Sequence, residues 1–359
     1  MPSPDPVPVP SLADRLAEVR VAFNLRRVPL AAIGALLDDD AEPRPGDLVL
    51  ARVDELGHHT RLQLTTGRRV QLFEGDEIAV AYGHRYATEQ FEAEVPRDLS
   101  PCHLVAAGGI AGRAISRSRN VRRPTRITPL GLLATAGGAV CNLADFALPP
   151  RDALPAQRPL TVAVLGTGMD VGKTTTARHL VKGLTRAGLR VGAAKVTGTG
   201  ACGDYFALAD SGAVPVFDIV DAGFASTWRL AAGDVLRGFT TLLAHVVEHG
   251  VEAVVIEVAD GLLQPETATL IAAAEFAAAV DSVLLAAREP LAAGAAIERL
   301  RGLGLPCVAV SGLVSASNLG VEEARSATGL AVLGLRSLGS PSILHRVLPR
   351  VPQAGGAPA

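Results

Sequence analysis

The sequence predicts an α/β protein: a parallel sheet with helices on both faces, preceded by a small, mostly β N-terminal domain. Three observations carry this. Past residue 155, uniformly apolar strand segments alternate with helical ones, the pattern of a sheet buried on both faces. A glycine-rich turn joins the first of these strands to a helix in AVLGTGMDVGKTTTARHL. Before residue 95 the text instead breaks into short strands separated by Gly and Asp turns.

The 359 residues, 48% of them hydrophobic, suit two domains with at least one large core. A formal net charge of −2 excludes a general nucleic-acid or membrane-surface binder on charge alone. Cys102, Cys141, Cys202 and Cys307 form no CxxC pair, so reduced thiols are expected in place of a disulfide framework or zinc ribbon. The first residues have neither a basic nor an apolar leader, and no apolar run reaches bilayer length, so a cytoplasmic protein without membrane partners is expected. Residues 1–12 and 351–359, rich in Pro, Gly and Ala, read as disordered tails. Residues 13–150 read as the N-terminal domain and 151–350 as a nucleotide-binding domain, with a Pro-rich linker, LPPRDALPAQRP, at the junction.

In the N-terminal domain GDLVLARV, HTRLQLTTG, RRVQLFEGDEIAVAYG and QFEAEV read as strands of a small β unit, a barrel being one closure. From His103 to Pro150 glycines and six arginines interrupt any alternation, and ordered loops are expected there. Those arginines are Arg113, Arg117, Arg119, Arg122, Arg123 and Arg126. Guanidinium forks pair bidentately with carboxylate or phosphate, so Arg122 and Arg123 are candidates for holding an acidic substrate; a solvated basic surface is the alternative. The segment has no aromatic ring for base stacking and the chain is only 4% aromatic, so nucleic acid is not expected as a partner.

In the second domain the strands are TVAVLG, LRVGAAK, VPVFDIV, AVVIEV, SVLLAA, PCVAVSGLV and GLAVLGL, with helices over about 172–186 and through VLRGFTTLLAHVVEH. Between the first strand and the first helix, Gly166, Thr167, Gly168, Met169, Asp170, Val171, Gly172 and Lys173 form a phosphate-binding loop. Its backbone N–H groups and the positive end of the helix dipole favour a polyphosphate. Lys173 is placed to reach the β- and γ-phosphates, Thr174 to ligate magnesium, and Thr175 extends the polar first turn. ATP and Mg2+ are therefore the expected cofactors. The string HVVEH matches a zinc-peptidase pattern, but its helix periodicity puts His245 and His249 on the flank or outer side, and no metal is expected there. Cys102 beside His103 reads as a buried thiol.

With five residues between Gly166 and Gly172, one more than the common loop, this segment resembles that of dethiobiotin synthetase and its relatives. The similarity runs over roughly residues 160 to 315. It implies that Lys195 and Thr197, in AAKVTGTG, face phosphate and substrate, and that Asp204 and Glu257 hold magnesium beside Thr174. Lys173, Lys195 and Glu257 are then catalytic, the substrate is a small anion whose carboxylate or carbamate is activated by phosphoryl transfer, and a homodimer is one assembly the resemblance implies. Each carboxylate also has a structural reading, Asp204 as a helix cap and Glu257 in a surface ion pair. Asp218 and Asp221 compete for the acidic role, because ligands collect at the carboxyl ends of such strands. Two departures stand out. Ser311 and Gly312 occupy the place where the relatives often carry an adenine-reading asparagine, and Ala259 followed by Asp260 displaces the usual glycine of the turn after Glu257, adding a carboxylate that either contacts substrate or caps the turn. TGTG and SGAVPVFDIVDAGFAS also resemble a family that includes a D-glutamate N-acetyltransferase, which implies an alternative, acyl transfer from acetyl-CoA to an amino acid. A nucleotide switch or metal or cofactor chaperone is the third reading.

Overall fold

The computed structural model describes residues 11–38 and 41–348, and they form two compact units. Of the described residues, the first unit holds those up to Leu148 together with Thr199–Gly203 and Ile219–Trp228; the second holds the rest. A division near residue 150 therefore misses two short segments that fold with the first unit. Most of the expected tails lies outside the described residues. Ser11 and Leu12, counted with the N-terminal tail, instead begin a helix, Leu12–Glu18, which Ser11 caps by accepting from the Asp14 N–H.

In the first unit the main strands are β1 (Leu48–Glu55), β2 (Glu77–Tyr82), β3 (Cys102–Ala106), β4 (Ile110–Arg117) and β5 (Thr125–Ala134). They pair antiparallel in the order β2–β1–β5–β3–β4, and β4 then pairs in parallel with β2, closing a ring. Closure pairs both edges of the sheet. Alternate residues feed two cores: Val49, Ala51 and Val53 enter one, Leu48 and Leu50 the other.

Strands β3, β4 and β5 correct the expectation of loops after His103. Their alternation is hidden by charge and by irregular register. Beyond Gly112 the residues of β4 are half-buried or exposed, so Arg113 and Arg117 sit on a strand without breaking it. In β5 the register shifts between Pro129 and Gly131, where a Cβ on Gly131 would come within 2.7 Å of Leu36 Cγ. Arg126 lies on β5, while Arg119, Arg122 and Arg123 lie in the β4–β5 connection.

The second unit contains β6 (Leu160–Gly166), α1 (Lys173–Arg186), β7 (Val191–Lys195), α2 (Cys202–Asp210), whose first two residues belong to the other unit, and β8 (Val216–Asp218). It continues with α3 (Ala232–Glu248), β9 (Ala253–Glu257), α4 (Pro265–Ala272), β10 (Ser282–Ala286), α5 (Pro290–Gly302), β11 (Cys307–Ser311), α6 (Asn318–Thr328) and β12 (Ala331–Val332). The strands are all parallel in the order β8–β7–β9–β6–β10–β11–β12. Helix α1 forms because Ala177, Leu180, Val181 and Leu184 recur on one face and are buried against Val162, Val164 and Val255. Burying each leucine contributes about 1.5–3 kcal/mol. The helix stops at Ala187, followed by Gly188 in the left-handed region (φ +91°).

Helix α3 corrects one reading. Its buried face includes His245 as well as Phe239, Leu242 and Val246, because position 245 follows Leu242 by three residues. The His245 ring lies 2.8 Å from the Pro149 carbonyl through Nε2, and only His249 is exposed. No helix among the described residues is long and apolar enough to cross a membrane.

Candidate nucleotide site

The turn from β6 into α1 is built by backbone constraints. Asp170 (φ +52°) and Gly172 (φ +96°) take left-handed conformations that reverse the chain before the helix begins. The loop is held from outside: Thr167 N–H donates to the Ala286 carbonyl (3.0 Å), Leu313 N–H to the Val171 carbonyl (3.1 Å), and Arg288 Nη2 to the Asp170 carbonyl (3.1 Å). Gly166 is required because a Cβ there would meet Lys173 Cδ at 2.6 Å. The Lys173 side chain thus folds back over the loop and donates from Nζ to the Gly168 carbonyl (2.5 Å). Burial pulls the Lys173 ammonium below its usual range, against the opposing pull of Glu257 and Asp260.

At the first turn of α1, Thr174 Oγ1 donates to Glu257 Oε1 (2.7 Å) and lies 3.3 Å from Asp204 Oδ1. The sheet places the remaining charges. Lys195 at the end of β7 is in register with Glu257 on one side and Asp218 on the other, so three ionisable side chains line the carboxyl edge. All three are buried, and Lys195 forms a salt bridge with Asp204. Although burial works against its charge, the carboxylates of Asp204 and Glu257 hold the Lys195 ammonium above its usual range. Asp204 is likewise held low by Lys195 in spite of burial. Glu257 goes the other way: burial, then the Asp204 charge, pushes it up to about 7.

The structure therefore brings Lys173, Thr174, Lys195, Asp204 and Glu257 together. It gives Lys195 a different setting from the substrate-facing one expected, because its ammonium is enclosed by carboxylates of its own unit. Thr197 is also engaged, its hydroxyl donating to the Ala259 carbonyl (3.2 Å). Ser311 points inward, donating to the Leu333 carbonyl (2.7 Å). Asp221 belongs to the first unit and pairs there with Arg26 (2.6 Å) and Arg27 (3.4 Å). Arg122 and Arg123 are also in the first unit; Arg122 contributes, after burial, to lowering the His58 pKa. Burial pushes the Cys102 thiol up to about 12, which keeps it protonated and unreactive at neutral pH. Sequence reasoning did not single out Arg288 or Thr267, which brace the site through backbone carbonyls and carry no motif of their own.

A parallel sheet whose central strand runs through this loop into a helix decides the fold. The second unit is a P-loop α/β domain. No family profile matches the chain, and no curated protein matches it. Among solved structures it is similar to the 54 kDa signal recognition particle protein of Aeropyrum pernix in complex with GDP, at 22% identity over 54% of this chain and 47% of that one, TM-score 0.34. It is also similar to a DUF1611-family protein of Anabaena variabilis, at 18% identity over 60% of this chain and 65% of that one, TM-score 0.36. A third is the hydrogenase maturation factor HypB of Archaeoglobus fulgidus, at 12% identity over 50% and 82%, TM-score 0.32. The chain thus spans about half of the first and just under two thirds of the second.

Among the described residues no group of three or more His, Cys, Asp or Glu side chains is arranged to hold a metal. The Thr174 hydroxyl at the start of α1 and the carboxylates of Asp204 on α2 and Glu257 at the end of β9 meet beside the loop, and this donor set suits magnesium, which keeps several waters and takes few protein oxygens. Glu257 fits such an ion: its Oε2 is buried without a hydrogen-bond partner.

Proposed function

We propose that this chain is an enzyme that binds ATP with magnesium and transfers the terminal phosphoryl group to a small anionic acceptor bearing a carboxylate or carbamate. The observation that carries the reading is the sharing of Thr174 Oγ1 between Glu257 and Asp204 at the start of α1, one residue past Lys173. Backbone N–H groups of the loop and the N-terminus of α1 bind the phosphates. Lys173, on exchanging the Gly168 carbonyl for a phosphate oxygen, brings its positive charge to the phosphoryl group as negative charge builds there. Lys195 keeps Asp204 ionised and in place, and the ionised form of Glu257 is favoured by magnesium binding. Magnesium, when bound, supplies the charge neutralisation that phosphoryl transfer requires and answers the excess carboxylates of the site. The acceptor class is the one the sequence resemblance implies.

The test is calorimetric titration of Mg·ATP, Mg·GTP and acetyl-CoA into the full chain and into Lys173→Ala. ATP binding that needs magnesium and weakens at least a hundredfold in the variant supports the reading. Binding of GTP alone would replace the nucleotide, and binding of acetyl-CoA alone would assign the loop to an acyl-transfer cofactor and overturn the reading.

A further inference from the structure

The turn after β9 holds a carboxylate that phosphate binding alone does not require. Asp260 has φ +63°, a left-handed conformation that glycine would adopt more easily, yet its side chain is buried, with 8% of the residue exposed. The neighbouring bonds fix that conformation. The Ala259 carbonyl accepts from the Thr197 hydroxyl (3.2 Å) and the Thr267 hydroxyl (3.0 Å), and Gln264 N–H donates to the Gly261 carbonyl (3.0 Å). On one side the turn packs against the phosphate loop: a Cβ on Gly261 would lie 3.0 Å from both Gly168 Cα and the Thr167 carbonyl oxygen. On the other side, a Cβ on Gly198 would lie 3.6 Å from Lys195 Cε and 3.9 Å from Asp260 Oδ2. The carboxylate therefore sits between the phosphate loop and the end of β7, within electrostatic reach of Lys173.

A negative charge there opposes binding of a polyphosphate. It is useful if the reaction releases a proton at that place. A carboxylate acceptor, ionised at neutral pH, has none to release, whereas a hydroxyl, an amine or water does. We propose that Asp260 accepts a proton from the phosphoryl acceptor, which therefore reacts through an O–H or N–H group. The acceptor atom forms a bond to the γ-phosphorus, the bond from that phosphorus to the β–γ bridging oxygen breaks, and its electron pair leaves with the nucleoside diphosphate. The acceptor's proton passes to Asp260. This rests on the phosphoryl-transfer reading above and changes its attacking group: the acceptor's carboxylate or carbamate anchors the molecule and is not itself phosphorylated, and a protic atom on the same molecule attacks.

Water is a protic acceptor, so the proposal is tested before the natural acceptor is known. Phosphate release from Mg·ATP and Mg·GTP is measured in single turnover for the full-length wild type, Asp260→Asn and Asp260→Gly, with nucleotide Kd by calorimetry and thermal stability alongside. Asparagine keeps the shape and tolerates left-handed backbone, and glycine relieves the backbone constraint, so the thermal midpoints separate a loss of fold from the loss of the proton acceptor. The expected result is a Kd unchanged or a few-fold tighter and phosphate release slower by roughly 10²–10⁴-fold in both. Release within threefold of the wild type in either variant overturns the proposal, as does a wild type that binds nucleotide and releases no phosphate. Failure of the wild type to bind nucleotide at all is a separate result, which overturns the phosphoryl-transfer reading along with this one.

Discussion

Replacing Lys195 with methionine separates two accounts of this residue, a hand for the substrate and a counter-ion for its own unit. Its side chain is 7% exposed and that of Asp204 30%, and they form a salt bridge; Glu257 and Asp218 add charge from the neighbouring strands. Methionine fills the volume but leaves three carboxylates facing one another without their cation. Breaking a buried pair from one side costs about 3–5 kcal/mol. A second route gives a similar ceiling. The carboxylates can escape by taking up a proton, and at pH 7 protonating a group with an ordinary pKa near 4 costs roughly 4 kcal/mol. For a unit of this size, that loss lowers the midpoint by roughly 8–16 °C.

The sign with pH follows from the same escape. In the variant burial and the Glu257 charge raise the folded Asp204 pKa above its unfolded one, because the lysine that held it low is gone, so the stability it contributes is present below pH 4 and is lost as pH rises through the folded value. The deficit of Lys195→Met should therefore shrink by roughly 1.4 kcal/mol per pH unit on going from pH 7 towards pH 5. Thermal unfolding followed by far-ultraviolet circular dichroism at pH 7 and pH 5 reads it, because all but one of the longer helices belong to the second unit. A midpoint within 2–3 °C of the wild type at pH 7, or a deficit that does not change with pH, would refute the counter-ion argument.

His59 is buried in the first unit; burial, then the charge of Arg85, lowers its pKa to about 3. A depressed histidine stabilises the fold above pH 6.5, and that stability is lost as pH falls, at roughly 1.4 kcal/mol per pH unit. Trp228, the only tryptophan, lies in the first unit, so its fluorescence in urea should show this slope in the wild type and not in His59→Leu; equal slopes would show that His59 does not carry the effect. Gly312→Ala should cost about 2–4 kcal/mol and weaken nucleotide binding, since φ is +87° and the new Cβ would meet the Val171 carbonyl oxygen at 2.4 Å. Gly188→Ala, at φ +91° with nothing within 4 Å, is the control and should cost only about 1 kcal/mol in a denaturant titration.

The phosphate loop was legible because its chemistry is local: glycines, lysine and threonine stand in one short run between an apolar strand and a helix. Glu257 and Asp204 could be matched to it through the resemblance, but their sharing of one hydroxyl depends on three separate elements meeting. The enclosure of Lys195 was not legible, since its carboxylates come from β8, β9 and α2 and only sheet register reveals them. Strands β4 and β5 escaped notice because arginines and a register shift at Pro129–Gly131 interrupt their alternation. His245 was misplaced for a related reason, as a polar residue on a helix says little about burial when a backbone carbonyl waits to pair with it.

The two segments that return to the first unit have a consequence for the order in which this protein can be made. Synthesis runs from the N-terminus, and domains generally begin to fold as they emerge. Arg26 and Arg27 leave the ribosome long before Asp221, the carboxylate that holds both. The N-terminal unit therefore waits, unfinished, until Trp228 has been translated, and by then β6, α1, β7 and β8 of the other unit already exist. A gene fragment ending at residue 148 would encode an unfinished first unit, whose nascent chain would have to be protected by other means.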